Sequence, residues 1–183
     1  MKLKFKIQQY QTDAVENVVR VFDGQPNLGL LEYKIDHGKV YVEVGGKRVE
    51  VKEFEYDEED TGYKNGDIVL DEETLLKNIH HIQTESNIHL SNDVVKKLGH
   101  CQLDVEMETG TGKTYVYIKT LFELNKRYGW TKFIVVVPSV AIREGVKKSF
   151  DITADHFMET YGKKARYFIY NSDSLGDIDT FSQ

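Results

Sequence analysis

The sequence predicts an α/β fold in which helices flank an incomplete parallel sheet and a small antiparallel β-meander is inserted into the chain. An apolar run at 103–107 leads into a glycine turn and then into a helical pattern that begins at Lys113. A second apolar run, 132–138, is rich in β-branched residues and precedes another helical pattern. Between 30 and 56, apolar and polar residues alternate without an intervening helix, so these strands cannot belong to the parallel sheet.

Composition restricts the class of protein. The chain has 183 residues, 40% of them hydrophobic, which suffices for one domain or slightly more with a real core. Its net charge of −6 excludes a protein that is basic all over, so contact with nucleic acid requires a local basic patch. The single cysteine, Cys101, excludes an internal disulfide framework. The basic N-terminus precedes no apolar stretch and the run at 133–137 is too short to cross a bilayer, so we expect a soluble, cytoplasmic protein.

The other elements follow from local patterns. A helix is predicted at about 8–22, where apolar residues fall on one stripe. The insertion, 24–70, begins with turn residues and carries hairpin turns at 36–38 and 45–46. Further predicted elements are helices at about 71–83 and 91–98, the helices that follow residues 113 and 139, and a third parallel strand at 166–170.

The glycine turn matches a phosphate-binding loop. Residues 110–114 read Gly-Thr-Gly-Lys-Thr and lie between a strand pattern and a helix pattern, which is the context such a loop requires. Backbone N–H groups at the glycines can wrap a phosphate, and the helix start favours an anion. We expect Lys113 to reach the β and γ phosphates and the Thr114 hydroxyl to bind Mg²⁺. The full pattern has a glycine where Met107 stands, and the alternative is a glycine turn with a surface lysine.

Gln11 is a candidate for reading adenine. It lies three residues before the apolar stripe of the first helix. A glutamine amide both donates and accepts, which suits the donor and acceptor of adenine, and such a pair discriminates by about 1–3 kcal/mol. The alternative is a polar residue at a helix start that binds no ligand.

Polar residues follow the second apolar run. Pro138 and Ser139 come directly after it, and Arg143 follows one turn later. Since ligands bind beyond the carboxyl ends of parallel strands, we expect these residues at the same sheet edge as the phosphate loop. Ser139 and nearby backbone N–H groups would hold one nucleic-acid phosphate and Arg143 another. The alternative is that Ser139 caps the helix and Arg143 is solvated.

Three blocks together resemble the first motifs of superfamily-two helicases and translocases: IQQYQTDAV, EMETGTGKTYVYIK and FIVVVPSVAIREGV. Within that group, METGTGKTYV and VVPSVAIREGV are most similar to the restriction (Res) subunit of type III restriction-modification enzymes. The resemblance covers residues 1–22 and about 101–171, and that group tolerates a residue other than glycine at Met107. The segment at 30–70 carries no matching motif.

The resemblance implies an ATPase of RecA-like fold that uses ATP and Mg²⁺ and acts on double-stranded DNA beside a methyltransferase (modification) subunit. It divides the chain into an N-terminal helix with the adenine-reading motif (1–23), the insertion (24–70) and the first part of the RecA-like domain (71–183). The implied site comprises Lys113 as catalytic residue, Thr114 as Mg²⁺ ligand, Pro138, Ser139 and Arg143 at DNA, and Gln11, Glu108, Thr109, Gly110, Thr111, Gly112, Lys113, Thr114 and Tyr115 at the nucleotide.

The implied mechanism is ATP hydrolysis that drives movement or switching on DNA and is coupled to cleavage in the complete enzyme. Full-length relatives continue with an Asp-Glu box, a second RecA-like domain and a nuclease domain. We find none of these here, so we expect this chain to be an N-terminal fragment that binds ATP weakly and does not turn it over.

Two other functions also account for part of the pattern. A phosphate-loop kinase of small metabolites explains residues 110–114 but neither Gln11 nor the strand end at Pro138. A non-enzymatic interaction module would use the insertion as its partner surface and keep a vestigial nucleotide site.

Overall fold

The computed structural model describes residues 5–34, 40–45, 47–51, 61–95, 99, 101–170 and 181. Within these residues the chain combines helices with short antiparallel strands. In chain order the elements are α1 (Gln9–Arg20), β1 (Leu30–Lys34), β2 (Val40–Val44), β3 (Lys47–Val51), β4 (Thr61–Asn65), α2 (Glu72–Glu85), α3 (Lys113–Tyr128) and α4 (Val140–Tyr161).

The four helices confirm the predicted helices at 8–22, at 71–83 and after residues 113 and 139. Local chemistry defines their ends. The Asp71 side chain caps α2 by accepting a hydrogen bond from the Thr74 N–H at 2.8 Å. Gly129 and Gly162 end α3 and α4 in the left-handed conformation that glycine adopts without strain.

The core lies where α1 and α4 pack against α3 and where α2 packs against α1. Helix α3 contacts both α1 and α4, and α1 also contacts α2. Val19 of α1 and Ile118 of α3 are fully buried. Between α3 and α4, the rings of Phe122 and Phe157 stack with their centroids 4.7 Å apart. Helix α3 is therefore fixed by its packing against α1 and α4.

The predicted parallel sheet is not formed by the residues that the structure describes. The segments 103–107, 132–138 and 166–170 are neither helical nor paired with another strand. The segment 132–138 is also too exposed for a central parallel strand, which is covered on both faces. Ile134 and Val136 are 80% and 88% exposed.

The insertion is antiparallel, as predicted, but it is not a meander. Strand β2 pairs with β3, which confirms the hairpin turn at 45–46. Strand β1 pairs with β4, and these two strands precede and follow that hairpin in the sequence. Alternation predicts that strands exist but cannot tell which strands pair. In the β1–β4 ribbon, Tyr33 lies over Gly62, and a Cβ on Gly62 would come within 2.7 Å of the tyrosine ring. The predicted turn at 36–38 lies outside the described residues.

The predicted helix at 91–98 is also wrong over the part that the structure describes, since residues 91–95 are not helical. Ser91, the first residue of this segment, is hydrogen-bonded to α2. Its N–H donates to Gln83 Oε1 at 2.9 Å and its hydroxyl accepts from Gln83 Nε2 at 2.8 Å. The Ser91 side chain is therefore not available to cap a helix that begins there.

Side chains attach the β1–β4 ribbon to the rest of the fold. Asn65 accepts from the backbone N–H groups of Thr131 and Lys132 and donates to the Lys132 carbonyl. The buried indole N–H of Trp130 donates to the Gly66 carbonyl at 3.0 Å. The ribbon is thus fixed to the segment that follows α3.

Candidate functional site

The glycine turn before α3 has the geometry of an anion site. Gly110 and Gly112 have φ values of +83° and +84°, the left-handed region that favours glycine. Gly112 is the N-cap of α3, and no side chain caps the helix there. The Thr111 hydroxyl donates to the Glu108 carbonyl at 2.6 Å, which closes the turn. The first N–H groups of α3 are therefore not occupied by a cap, and the helix dipole adds to their attraction for an anion.

Gln11 lies against this turn. Its Nε2 donates to the Thr111 carbonyl at 2.8 Å, and the Tyr10 hydroxyl donates to the same oxygen at 3.3 Å. A Cβ on Gly112 would lie 2.6 Å from Gln11 Nε2, so a side chain there would displace the Gln11 amide in addition to straining the left-handed backbone. The structure thus brings Gln11 together with the predicted phosphate loop, although the two are a hundred residues apart.

The side chains at the start of α3 face different surroundings. Lys113 is exposed, and Thr114 is half-buried. The Tyr115 hydroxyl hydrogen-bonds His156 Nε2 of α4 at 3.0 Å, and its ring stacks on Phe157. Burial raises the pKa of Tyr115 and lowers the pKa of His156, which favours the neutral forms of both. The Tyr115 side chain thus serves the contact between α3 and α4.

The predicted nucleic-acid residues lie at the start of α4. The Ser139 side chain caps the helix by accepting from the Ile142 N–H at 3.3 Å. Arg143 pairs with the neighbouring Glu144 at 3.2 Å, and Pro138 is exposed. The sheet that would align them with the phosphate loop is not formed by the described part of the chain, so their shared edge stays a prediction.

Sequence reasoning missed two groups near the turn. One is His156, whose only signal was its place in a helical pattern. The other is Tyr117, the fifth residue of α3, whose hydroxyl is buried. Its place three residues after Thr114 was visible in the sequence, but the burial of its hydroxyl was not.

Comparison with known proteins identifies the family. The family model described as Type III restriction enzyme, res subunit, matches residues 4–176. The chain belongs to the type III Res subunit family. This confirms the resemblance carried by the three sequence blocks, and the kinase and interaction-module alternatives are not favoured.

Curated relatives are Res subunits too. The chain is 38% identical over 120 residues to the Type III restriction-modification enzyme EcoP15I Res subunit of Escherichia coli, which covers 64% of this chain and 12% of that protein. It is 36% identical over 121 residues to the EcoPI Res subunit of Escherichia phage P1, covering 64% and 12%. It is 42% identical over 87 residues to the StyLTI Res subunit of Salmonella typhimurium, covering 45% and 9%. The chain therefore spans a small part of the length of these Res subunits.

The Res family model extends over the glycine turn, Gln11 and the start of α4, so all the candidate residues lie inside the matched region. Among the helices that the structure describes, none is both long and apolar enough to span a membrane.

Proposed function

We propose that this chain is the nucleotide-binding part of an ATP-dependent, helicase-like restriction subunit. In the complete enzyme, ATP hydrolysis drives movement along double-stranded DNA and is coupled to DNA cleavage. The observation that carries the proposal is the uncapped start of α3 behind a left-handed glycine turn, with Gln11 hydrogen-bonded to that turn. Membership of the Res family supports it. We assign 1–23 to the adenine-reading segment, 24–70 to an insertion and 71–183 to the first part of a RecA-like domain with a parallel sheet.

The nucleotide is assigned to the turn and its surroundings. Backbone N–H groups of residues 108–115 hold the phosphates, and the exposed Lys113 ammonium donates to the β and γ phosphates. Gln11 reads adenine. Its Nε2 has two hydrogens, of which one is bound to the Thr111 carbonyl. The second hydrogen and Oε1 are the donor and acceptor that adenine N7 and N6 require.

Mg²⁺ fits beside Thr114. This cation keeps several waters and takes few protein oxygens when it binds with substrate phosphates. Thr114 is half-buried in the first turn of α3, two residues after the left-handed Gly112, and its hydroxyl is an oxygen donor of the kind that Mg²⁺ accepts. The Thr114 hydroxyl would hold the cation, whose charge would offset that of the transferring phosphoryl group. The part of this chemistry that falls to the chain is to orient the phosphates through Lys113 and the turn.

Double-stranded DNA is assigned to the start of α4. Since one side-chain cap leaves other first-turn N–H groups unpaired, the α4 terminus at Pro138 and Ser139 suits a DNA phosphate. Arg143 binds a second phosphate after its ion pair with Glu144 breaks. That ion pair is partly exposed to solvent and is therefore weak. The names of the relatives also include modification, so we assign a methyltransferase subunit as partner and the cytoplasm as location.

Nucleotide binding by the 183-residue chain tests the proposal. A non-hydrolysable ATP analogue with Mg²⁺ is titrated by calorimetry into wild type, Lys113→Ala and Lys126→Ala; the last removes a lysine at the other end of α3. We expect Lys113→Ala to weaken binding and Lys126→Ala to bind as wild type. At 100 times Kd the analogue should stabilise the wild-type chain by about 2.7 kcal/mol. The proposal fails if wild type shows neither heat of binding nor a melting shift, or if the two lysine variants bind alike.

A second titration separates a DNA motor from other nucleotide-binding proteins. Duplex and single-stranded DNA are added at two salt concentrations to wild type and to Arg143→Ala. We expect binding of duplex that weakens steeply with salt, and a shallower dependence in the variant because one phosphate contact is lost. A duplex affinity that is independent of salt and unchanged in Arg143→Ala would contradict the assigned DNA surface.

A further inference from the structure

The Tyr117 hydroxyl is a buried polar group to which the assigned contacts give no role. Its oxygen is closed off from solvent and has no hydrogen-bond partner within the part of the chain that the structure describes. A buried hydroxyl without a partner destabilises a fold, because it has lost its hydrogen bonds to water. The position therefore calls for a functional explanation, since phenylalanine would fill the same volume without that cost.

The nearest chemistry is the Thr114 hydroxyl. Tyr117 follows Thr114 by three residues in α3, so the two side chains lie on the same face of the helix. Long side chains on a helix lean toward its N-terminus, which carries the phenol of Tyr117 toward Thr114 and the glycine turn. Burial raises the pKa of Tyr117, and an interaction with the Thr114 side chain opposes that rise. The two hydroxyls are thus neighbours that do not form a hydrogen bond of normal geometry in this structure.

We propose that Tyr117 is a positioning residue for Thr114, whose hydroxyl donates to the Tyr117 oxygen when the Thr114 oxygen binds Mg²⁺. The inference rests on the proposed function, in which Thr114 binds the metal. A hydroxyl that binds a cation through its lone pairs still has a hydrogen to donate. An acceptor for that hydrogen fixes the direction of the lone pairs and increases the affinity for the metal. Tyr117 supplies this acceptor from a rigid helix, and the same contact gives the buried phenol a partner.

The test compares Tyr117→Phe with Tyr167→Phe in the 183-residue chain. Tyr167 is a matched control because its hydroxyl bonds Asp151 at the surface, away from the turn. Binding of ADP is measured by calorimetry at a series of Mg²⁺ concentrations and in the presence of a chelator. For Tyr117→Phe we expect the Mg²⁺ concentration at half-maximal effect to rise by about tenfold, with unchanged affinity in chelator. Tyr167→Phe should match wild type in both conditions.

A double-mutant cycle locates the effect. In a Thr114→Ala background, Tyr117→Phe should cause no further change in Mg²⁺ dependence, because the hydroxyl that it positions is gone. A melting temperature of Tyr117→Phe at or above that of wild type excludes a folding defect as the cause.

Three results would overturn the inference. Wild-type Mg²⁺ dependence in Tyr117→Phe makes Tyr117 a core aromatic residue only. An equal loss of affinity with and without Mg²⁺ makes its role structural. A wild-type chain that binds no ADP at all refutes the proposed function and this inference with it, whereas the first two results leave the proposed function intact.

Discussion

The geometry of the glycine turn predicts a graded response to alanine. Gly112, Gly110 and Gly145 differ in backbone conformation or in what an added Cβ would meet. At Gly112 the backbone is left-handed and Gln11 Nε2 lies 2.6 Å from the Cβ position. At Gly110 the backbone is also left-handed, but nothing lies within 4 Å. Gly145 lies inside α4 with open space around it. The three substitutions therefore separate strain from close approach.

The magnitudes follow from these differences. A left-handed alanine costs about 1–2 kcal/mol, which is the whole expected loss for Gly110→Ala. Gly112→Ala also displaces the Gln11 amide and breaks its hydrogen bond to the Thr111 carbonyl, which adds about 0.5–1.5 kcal/mol. Gly145→Ala should instead stabilise by about 1 kcal/mol, since alanine is the better helix former.

Urea unfolding followed by circular dichroism measures the series, with the free energy of unfolding compared at a common slope. Removing the Gln11 side chain provides an internal check. In a Gln11→Ala background the cost of Gly112→Ala should fall to that of Gly110→Ala, because there is no longer an amide to displace. If Gly112→Ala costs no more than Gly110→Ala while Gln11 is present, the contact between α1 and the turn contributes nothing to stability.

Three further predictions concern the core and the activity. Burial raises the pKa of Tyr128 to about 12, so folding favours its neutral form. The contribution of this group to the free energy of unfolding is therefore fully present below its unfolded pKa of about 10. That contribution is lost as pH rises toward about 12. Urea midpoints across that range should fall for wild type and fall less for Tyr128→Phe, which also loses a hydrogen bond to the Val19 carbonyl at every pH; parallel curves would refute the assignment. Trp130→Phe leaves the Gly66 carbonyl without its buried donor and should cost about 1–3 kcal/mol, with faster amide exchange in β4; unchanged exchange would contradict the attachment of the ribbon. The chain alone should release phosphate from ATP no faster than Lys113→Ala, and a steady rate that this variant abolishes would show turnover.

Helices α1 to α4 and the glycine turn were predictable because their signals are local. Asp71 caps α2, and Gly129 closes α3, through contacts within one turn of the chain. The glycine turn was predictable for the same reason, since glycine adopts the left-handed backbone of a tight turn without steric cost. The assignment of Gln11 to the turn needed more, because its partner lies a hundred residues away and only the resemblance linked the two.

The partner of β1 was not predictable. The alternating pattern of β1 is compatible with either β2 or β4, and the choice of β4 depends on long-range contacts such as Asn65 to Thr131. The β-branched run at 132–138 has the composition of a buried strand, yet Ile134 is exposed. Composition reports what a segment can do when neighbours cover it, and covering is a property of the fold. The buried hydroxyl of Tyr117 was hidden for the same reason.

The attachment of the ribbon at Asn65 has a mechanical consequence. One side chain makes three hydrogen bonds to the backbone at 131–132, and Trp130 adds a fourth next to it. A load applied to the ribbon therefore reaches the residues between α3 and α4 directly, without first bending a helix. A protein that binds the ribbon and displaces it would therefore also displace the chain that leads into α4.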